Sequence, residues 1–192
     1  MARKYLLALA LLLLTPGMAR ADWLFTPYSG MTFGKDAKNL EHFNWGANIG
    51  WMGAGIIGFE ADFNHTPNFF EPKDATDTTE LFGSNNVTTL MGNLILGVPI
   101  GGQTGPGFRP YVSGGVGLLK SNVPGTTEFL EVSSNDFGIN LGFGTTIFAS
   151  DHVGFRGDVR YLRSLQKNED ALTDFVLGNF DYWRWTIGVT FR

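Results

Sequence analysis

Beyond residue 21 the chain alternates. In HFNWGANIGWMG (residues 42–53), Phe43, Trp45, Ala47, Ile49 and Trp51 share one parity, while Asn44, Gly46, Asn48 and Gly50 take the other. In IIGFEADFNH (56–65), Ile57, Phe59, Ala61 and Phe63 alternate with Gly58, Glu60, Asp62 and Asn64. In DFGINLGFGTTIF (136–148), Phe137, Ile139, Leu141, Phe143 and Ile147 face away from Gly138, Asn140, Gly142, Gly144 and Thr146. The final stretch, YWRWTIGVTFR, sets Trp183, Trp185, Ile187, Val189 and Phe191 against Arg184, Thr186, Gly188, Thr190 and Arg192. A sustained period of two predicts strands whose two faces meet different surroundings. Similar stretches at 23–34, 86–98, 109–121 and 152–163 bring the number of predicted strands to eight. At ten to thirteen residues, each has the length a tilted strand needs to cross a bilayer.

The connections sort by length. Three are tight or Gly-rich: 53–55, 99–108 and 149–151. Four are longer and polar: 35–41, 66–85, 122–133 and 164–181. Alternating short and long connections predict an all-β, up-and-down antiparallel barrel, with the short turns at one end and the long loops at the other. Pro99, Pro106 and Pro110 are expected at or beyond strand ends, where a missing ladder donor costs little.

Two barrels fit eight alternating strands. A soluble one buries its apolar parity, whereas a transmembrane one turns that parity to lipid and keeps small or polar side chains inside. Size favours the second. The interior of an eight-stranded barrel is just wide enough for side chains to fill. The polar parity is rich in Gly, Asn and Thr, and the apolar one carries rows of Phe, Trp and Ile too bulky to share that space. Composition agrees, with 26 Gly and 17 Phe among 192 residues. Trp23, Phe25, Trp51, Phe148, Phe155 and Phe191 are expected near the short-turn boundary. Phe43, Trp45, Phe63, Tyr161, Trp183 and Trp185 are expected near the other, forming two aromatic girdles.

The first 21 residues read differently. Arg3 and Lys4 precede an apolar run, residues 6–14, and Ala19-Arg20-Ala21 is a small-x-small cleavage site. This predicts a cleavable secretory signal peptide at 1–21, with Asp22 opening a barrel domain at 22–192. The chain holds 14 Lys and Arg, three of them in the leader, against 18 Asp and Glu, so the mature balance is −7. That argues against a broad basic face for nucleic acid or for anionic lipid. There is no Cys, which excludes disulfides and thiolate metal sites.

The signal peptide, DWLFTPYSG at the mature start, RPYVSGGVG, GFRGDVRY and the aromatic final strand resemble the small eight-stranded outer-membrane β-barrel superfamily. Its relatives include the OmpA transmembrane domain, OmpX and opacity-type proteins. The resemblance implies insertion in the outer membrane of a Gram-negative cell by the barrel-assembly machinery, with both termini periplasmic and with outer-membrane lipid and lipopolysaccharide as surroundings. The family's last strand usually ends in Phe, whereas here Arg192 follows Phe191.

Candidate chemistry is mostly electrostatic. Glu60 and Asp62 on the third strand, Arg156, Asp158 and Arg160 on the seventh, and Arg184 on the eighth all take the lumen parity. Charges in so narrow an interior must pair. Arg156-Gly157-Asp158 spells an integrin-type RGD, yet in an extended strand it lies on the inner face. The lumen reading is a charge network that plugs the barrel; the alternative is a gated pore, as the resemblance to OmpA suggests. An enzyme acting on lipid A is a third class, for which His42 and His65 near the outer rim are the candidates, without the His-x-Ser arrangement expected there. No catalytic residue, cofactor or metal ligand is predicted. Within loop 66–85, Phe69, Phe70, Asp74 and Asp77 are candidates for recognising an extracellular ligand, since loops on a rigid scaffold are where binding evolves.

Overall fold

A computed structural model describes residues 21–34, 42–67, 69, 86–101, 105–124, 131–165 and 181–192, without the side chains of 122–124 and 131–136. The strands are β1 (Ala21–Phe33), β2 (His42–Gly53), β3 (Ile57–Thr66), β4 (Asn86–Gly97), β5 (Gly107–Pro124), β6 (Glu131–Phe148), β7 (Val153–Ser164) and β8 (Asp181–Phe191). Each pairs antiparallel with its sequence neighbours, and β1 pairs with β8, so the sheet closes on itself. Of the predicted leader, only Ala21 lies among the described residues; it opens β1 opposite Gly53.

The register fixes the barrel's dimensions. One ladder row starts at Lys120 on β5 and passes through Thr88, His65, Trp45 and Ser29. It continues through Ile187, Gly157 and Thr145 and returns to β5 at Pro110, ten residues from its start. Eight strands with that stagger tilt by about 40° from the axis and wrap a backbone cylinder roughly 8 Å in radius. Closure leaves no sheet edge, which lets the backbone pair throughout in a medium that offers no hydrogen bonds.

The apolar parity faces out. Trp23, Phe59, Leu141, Phe155 and Ile187 are each at least 60 % exposed, a surface that only lipid can cover favourably. The opposite parity is buried, and its glycines make room for large neighbours. A Cβ on Gly144 would strike the Tyr111 ring, and one on Gly46 the Tyr28 ring.

The short turns follow local backbone chemistry. Ala54 (φ 51°) and Gly55 (φ 69°) are both left-handed, and the Ile56 amide donates to the Gly53 carbonyl at 3.0 Å, as in a type I′ turn, with Ile56 as one extra residue before the Gly53–Ile57 pair. At the β6–β7 turn the Ala149 amide donates to the Val153 carbonyl, and Ser150 Oγ accepts from the Val153 amide. Pro27 interrupts the β1–β8 ladder between the Phe25–Phe191 and Tyr28–Gly188 pairs, because it has no amide hydrogen to offer. Inside the barrel, Thr26 and Thr190 hydroxyls bond across that gap at 2.9 Å.

Four expectations need correction. Half of 122–133 is strand and not loop, because β5 and β6 run on as a paired ribbon to the Pro124–Glu131 pair, and residues 125–130 lie outside the described residues. Past the bilayer both faces of a ribbon can be polar, so the alternation that marks a strand fades while the pairing persists. Pro110 lies inside β5 and not at its end; its carbonyl accepts from the Val98 amide. Phe148 is not in the girdle. It has lumen parity and is 3 % exposed, packed with Leu24, Met52, Ile95 and Tyr111. Phe69 is 1 % exposed, stacked on His42 at 5.6 Å and edge-on to Tyr182 at 5.4 Å, so it is not a presented loop side chain.

The outward parity makes a direct prediction. Leu141→Arg, near the middle of the lipid-facing surface of β6, should destabilise the barrel in vesicles by about 2–4 kcal/mol. Urea titration of the heat-modifiable gel mobility measures this; no change in midpoint would mean that this face is not in lipid.

Candidate functional site

The alternation that turns Phe and Ile outward on β3, β7 and β8 turns six charged residues inward, and the closed sheet brings them together. Glu60, Asp62, Asp158, Arg156, Arg160 and Arg184 are each at most 6 % exposed. Three carboxylates meet three guanidinium groups, so the set is neutral.

Arg156 reaches across the barrel and places Nη1 2.5 Å from Glu60 Oε2. Arg160 donates from Nη2 to Glu60 Oε1 and from Nε to Asp158 Oδ1, both at 2.7 Å, and its Nη1 lies 3.4 Å from Asp62 Oδ2. Arg184 Nη2 donates to Asp62 Oδ2 at 2.6 Å. Glu60 and Asp62 thus face cations across the barrel, Asp158 lies between Arg156 and Arg160 of its own strand, and Arg160 touches all three carboxylates. A buried charge without a partner costs several kcal/mol, so the arrangement is cooperative by necessity.

Neutral groups complete the coordination, and they are the part that sequence reasoning missed. Tyr28 donates its hydroxyl to Asp62 Oδ1 at 2.6 Å, and Tyr111 donates to Asp158 Oδ2 at 2.5 Å while accepting from Arg156 Nε at 2.6 Å. The guanidinium of Arg156 also lies 4.6 Å from the Tyr111 ring centre, and that of Arg184 5.5 Å from the Tyr28 ring. Asn48 accepts from Arg156 Nη1, and Asn93 donates to Glu60 Oε1 at 3.2 Å. The signal was available: Tyr28 and Tyr111 take the parity opposite to Phe25 and Val112.

Apolar layers lie on either side. Toward the long-loop end, Phe69, Val87, Met91, Leu119, Leu162 and Tyr182 form one buried cluster. Toward the short-turn end lies the Leu24, Met52, Ile95, Tyr111 and Phe148 cluster. Beyond the latter, Asp22 sits between two cations, 3.9 Å from Arg109 Nη2 and 3.3 Å from Arg192 Nε. Both guanidinium groups lie over the Phe148 ring, at 5.1 and 3.9 Å. Arg192 therefore folds back into the barrel mouth, with its amide donating to the His152 carbonyl at 2.9 Å.

The other expected positions distribute as follows. Trp23, Phe63, Trp183, Trp185 and Phe191 are exposed on the outer face, and Trp45, Trp51 and Tyr161 are half-buried on it. Tyr161 donates to Asp181 Oδ2 at 2.6 Å and packs on Trp183 at 5.2 Å. His42 and His65 do not converge. His42 points into the lumen beside Phe69, whereas His65 takes the outward parity, with Nδ1 2.9 Å from Thr88 Oγ1 and its ring 5.5 Å from that of Trp45. Phe70, Asp74 and Asp77 lie outside the described residues. Among the described residues no group of three or more His, Asp or Glu is placed to hold a metal ion.

Removing one cation from this network leaves its partner charged and buried. Arg184→Met should cost about 3–5 kcal/mol, and adding Asp62→Asn to it should recover part of that loss despite being a second change. Urea titrations of both variants test this; additive losses would mean that Arg184 and Asp62 are not coupled.

The chain matches the family model described as outer membrane protein beta-barrel domain over residues 6–192. No curated protein matches it. Among solved structures it is similar to neisserial surface protein A, NspA, at 14 % identity and TM-score 0.64, covering 89 % of this chain and 97 % of that one. It is also similar to the N-terminal β-barrel domain of Pseudomonas aeruginosa OprF, at 16 % identity and TM-score 0.58, covering 90 % and 97 %. OprH from P. aeruginosa follows at 14 % identity and TM-score 0.52, covering 88 % and 98 %. At these identities the likeness to solved structures concerns the fold alone. A closed eight-stranded antiparallel sheet with a lipid-suited outer face, together with a family match across nearly the whole chain, establishes that the protein belongs to the outer-membrane β-barrel domain family.

Proposed function

We propose that the protein is a non-conducting outer-membrane barrel with a structural and surface-directed role, and not an enzyme. The observation that carries this reading is the layering of the lumen. A neutral charge network lies between two buried apolar clusters, and water or ions passing along the axis would have to displace all three layers. Rearranging the ion pairs alone would leave the apolar clusters in place, and dehydrating an ion between Leu, Met, Val and Phe side chains is costly. The network then acts as a weld: it ties β3 to β7 and β8 across the axis and stiffens the cylinder that holds the loops.

The same reading assigns recognition to the long-loop end, including the segment around Phe70, Asp74 and Asp77, for an extracellular ligand. It takes delivery by the barrel-assembly machinery and a cleavable leader as the route to the membrane. The separation of His42 and His65 onto opposite faces of the sheet supports the non-enzymatic reading.

Purified, refolded protein in planar bilayers should give no single-channel steps, and Glu60→Ala should leave the baseline unchanged. Discrete steps in the wild-type protein that change with Glu60→Ala or Arg156→Ala would replace this reading with a gated pore.

A further inference from the structure

The outer face carries few charges, and their positions are uneven. Lys120 on β5 and Arg163 on β7 are the exposed Lys and Arg side chains among the described residues. Both take the outward parity and both stand at the long-loop end of their strands. The other cations are inside: Arg156, Arg160 and Arg184 in the central network, Arg109 and Arg192 at the short-turn mouth. No lysine or arginine is exposed at the short-turn boundary among the described residues. In a chain with a strong acidic excess, two outward cations at one boundary and none at the other is an asymmetry that follows the membrane's two faces.

Their mutual geometry comes from the register. Lys120 pairs with Asn135 on β6, and Arg163 pairs with Ile139, four residues nearer the short-turn end of β6. The ten-residue stagger raises the ladder row by a little over one residue for each strand from β5 toward β7. Two strand steps cancel most of the four-residue offset and leave Lys120 and Arg163 within about 4 Å of the same height. Phe137, 45 % exposed, stands on β6 between them. Below this triad the outward face is continuous hydrocarbon: Leu118, Val116, Ile139 and Leu141.

Neither cation is committed to the protein. Neither Lys120 nor Arg163 makes a hydrogen bond or an ion pair with described residues. The carboxylate nearest in register to Arg163 is Asp181, its cross-strand partner, and that group accepts the Tyr161 hydroxyl. A single cation at a membrane boundary is ordinary snorkelling. Two uncommitted ones, level with each other, flanking an aromatic ring above an acyl-chain surface, present a two-point site for a lipid with two separated negative charges.

We propose that the outer end of β5–β6–β7 is a docking surface for the bis-phosphorylated glycolipid of the outer leaflet, the lipid A part of lipopolysaccharide. Lys120 and Arg163 each take one phosphate, Phe137 lies under the sugar backbone, and the Leu118–Leu141 surface receives the acyl chains. Phosphatidylglycerol, with one phosphate and a small headgroup, satisfies only one of the two cations. The inference rests on the membrane placement of the barrel and is independent of whether its lumen conducts.

Native mass spectrometry of the full-length mature protein in zwitterionic micelles tests it, with bis-phosphorylated lipid A, fully dephosphorylated lipid A and phosphatidylglycerol as probes. The wild-type barrel should retain bis-phosphorylated lipid A at least tenfold more strongly than either of the others. Lys120→Ala with Arg163→Ala should remove that preference, and Lys120→Arg should keep it. Both positions are exposed and make no contacts that folding needs, and unchanged heat-modifiable mobility checks that the variants are intact. Equal retention of phosphatidylglycerol, or an undiminished preference in the double alanine variant, overturns the proposal. Neither result would bear on the planar-bilayer test of the lumen.

Discussion

The narrowness of the barrel governs what its inside can be. Eight strands with a ten-residue stagger set a backbone radius of roughly 8 Å, too small for a row of Trp and Phe and too small for charges to keep their water. Everything on the inner parity must therefore be small, hydrogen-bonded or paired, or packed into one of the two apolar clusters that cap the network. The glycines, the Asn and Thr side chains and the three-by-three ion cluster are three answers to one restriction. Where an inner residue is large, its neighbour gives way: Tyr28 lies against Gly46 and Tyr111 against Gly144. Those two tyrosines in turn supply hydroxyl donors to Asp62 and Asp158. The small residues that allow closure thus also make room for the groups that satisfy the charges.

The architecture was legible because lipid makes the alternation nearly binary. Phe59, Leu141 and Ile187 face hydrocarbon, while their immediate neighbours face the lumen, and a period of two survives across every transmembrane strand. Legibility ends where lipid ends. The ribbon formed by β5 and β6 beyond Ser121 has no apolar face to announce it, so it reads as loop although its backbone pairs to Pro124. Phe148 shows a second limit. An aromatic residue at a strand end suggests a girdle, but its parity places it inside under Arg109 and Arg192, and parity is the better guide there. The six charges were readable from parity alone. Their partners were less so, because a tyrosine of inward parity carries no sign of whether it will donate to a carboxylate or only fill space. Which cation meets which carboxylate depends on the stagger, and that number is a property of the closed sheet and not of any one strand.

The same reasoning disposes of the RGD tripeptide in β7. Arg156 and Asp158 are each 6 % exposed, and both are engaged with Tyr111. A loop-reading receptor needs the two side chains splayed toward solvent; here they converge on one hydroxyl.

The charge network also has consequences for how the barrel finds its register. Hydrogen-bonded strands in lipid can slip without losing many ladder bonds, so the backbone alone specifies register weakly. A one-residue slip of β7 would turn Arg156 and Arg160 to lipid together, at about 2–4 kcal/mol each near mid-bilayer. It would also bring Phe155 and Val159 into a lumen that lacks space for them. A two-residue slip keeps the faces but moves Arg156 along the axis by about 7 Å relative to Glu60, too far for its present ion pair. The aromatic rows exclude odd slips and the cross-barrel ion pairs exclude even ones. Because those pairs join β3 to β7 and β8, which are not neighbours, they constrain the barrel as a whole and tie the closing β1–β8 seam to strands on the far side. Pro27 weakens that seam locally, and the link from Asp62 through Tyr28 on β1 to Arg184 on β8 bridges it from within.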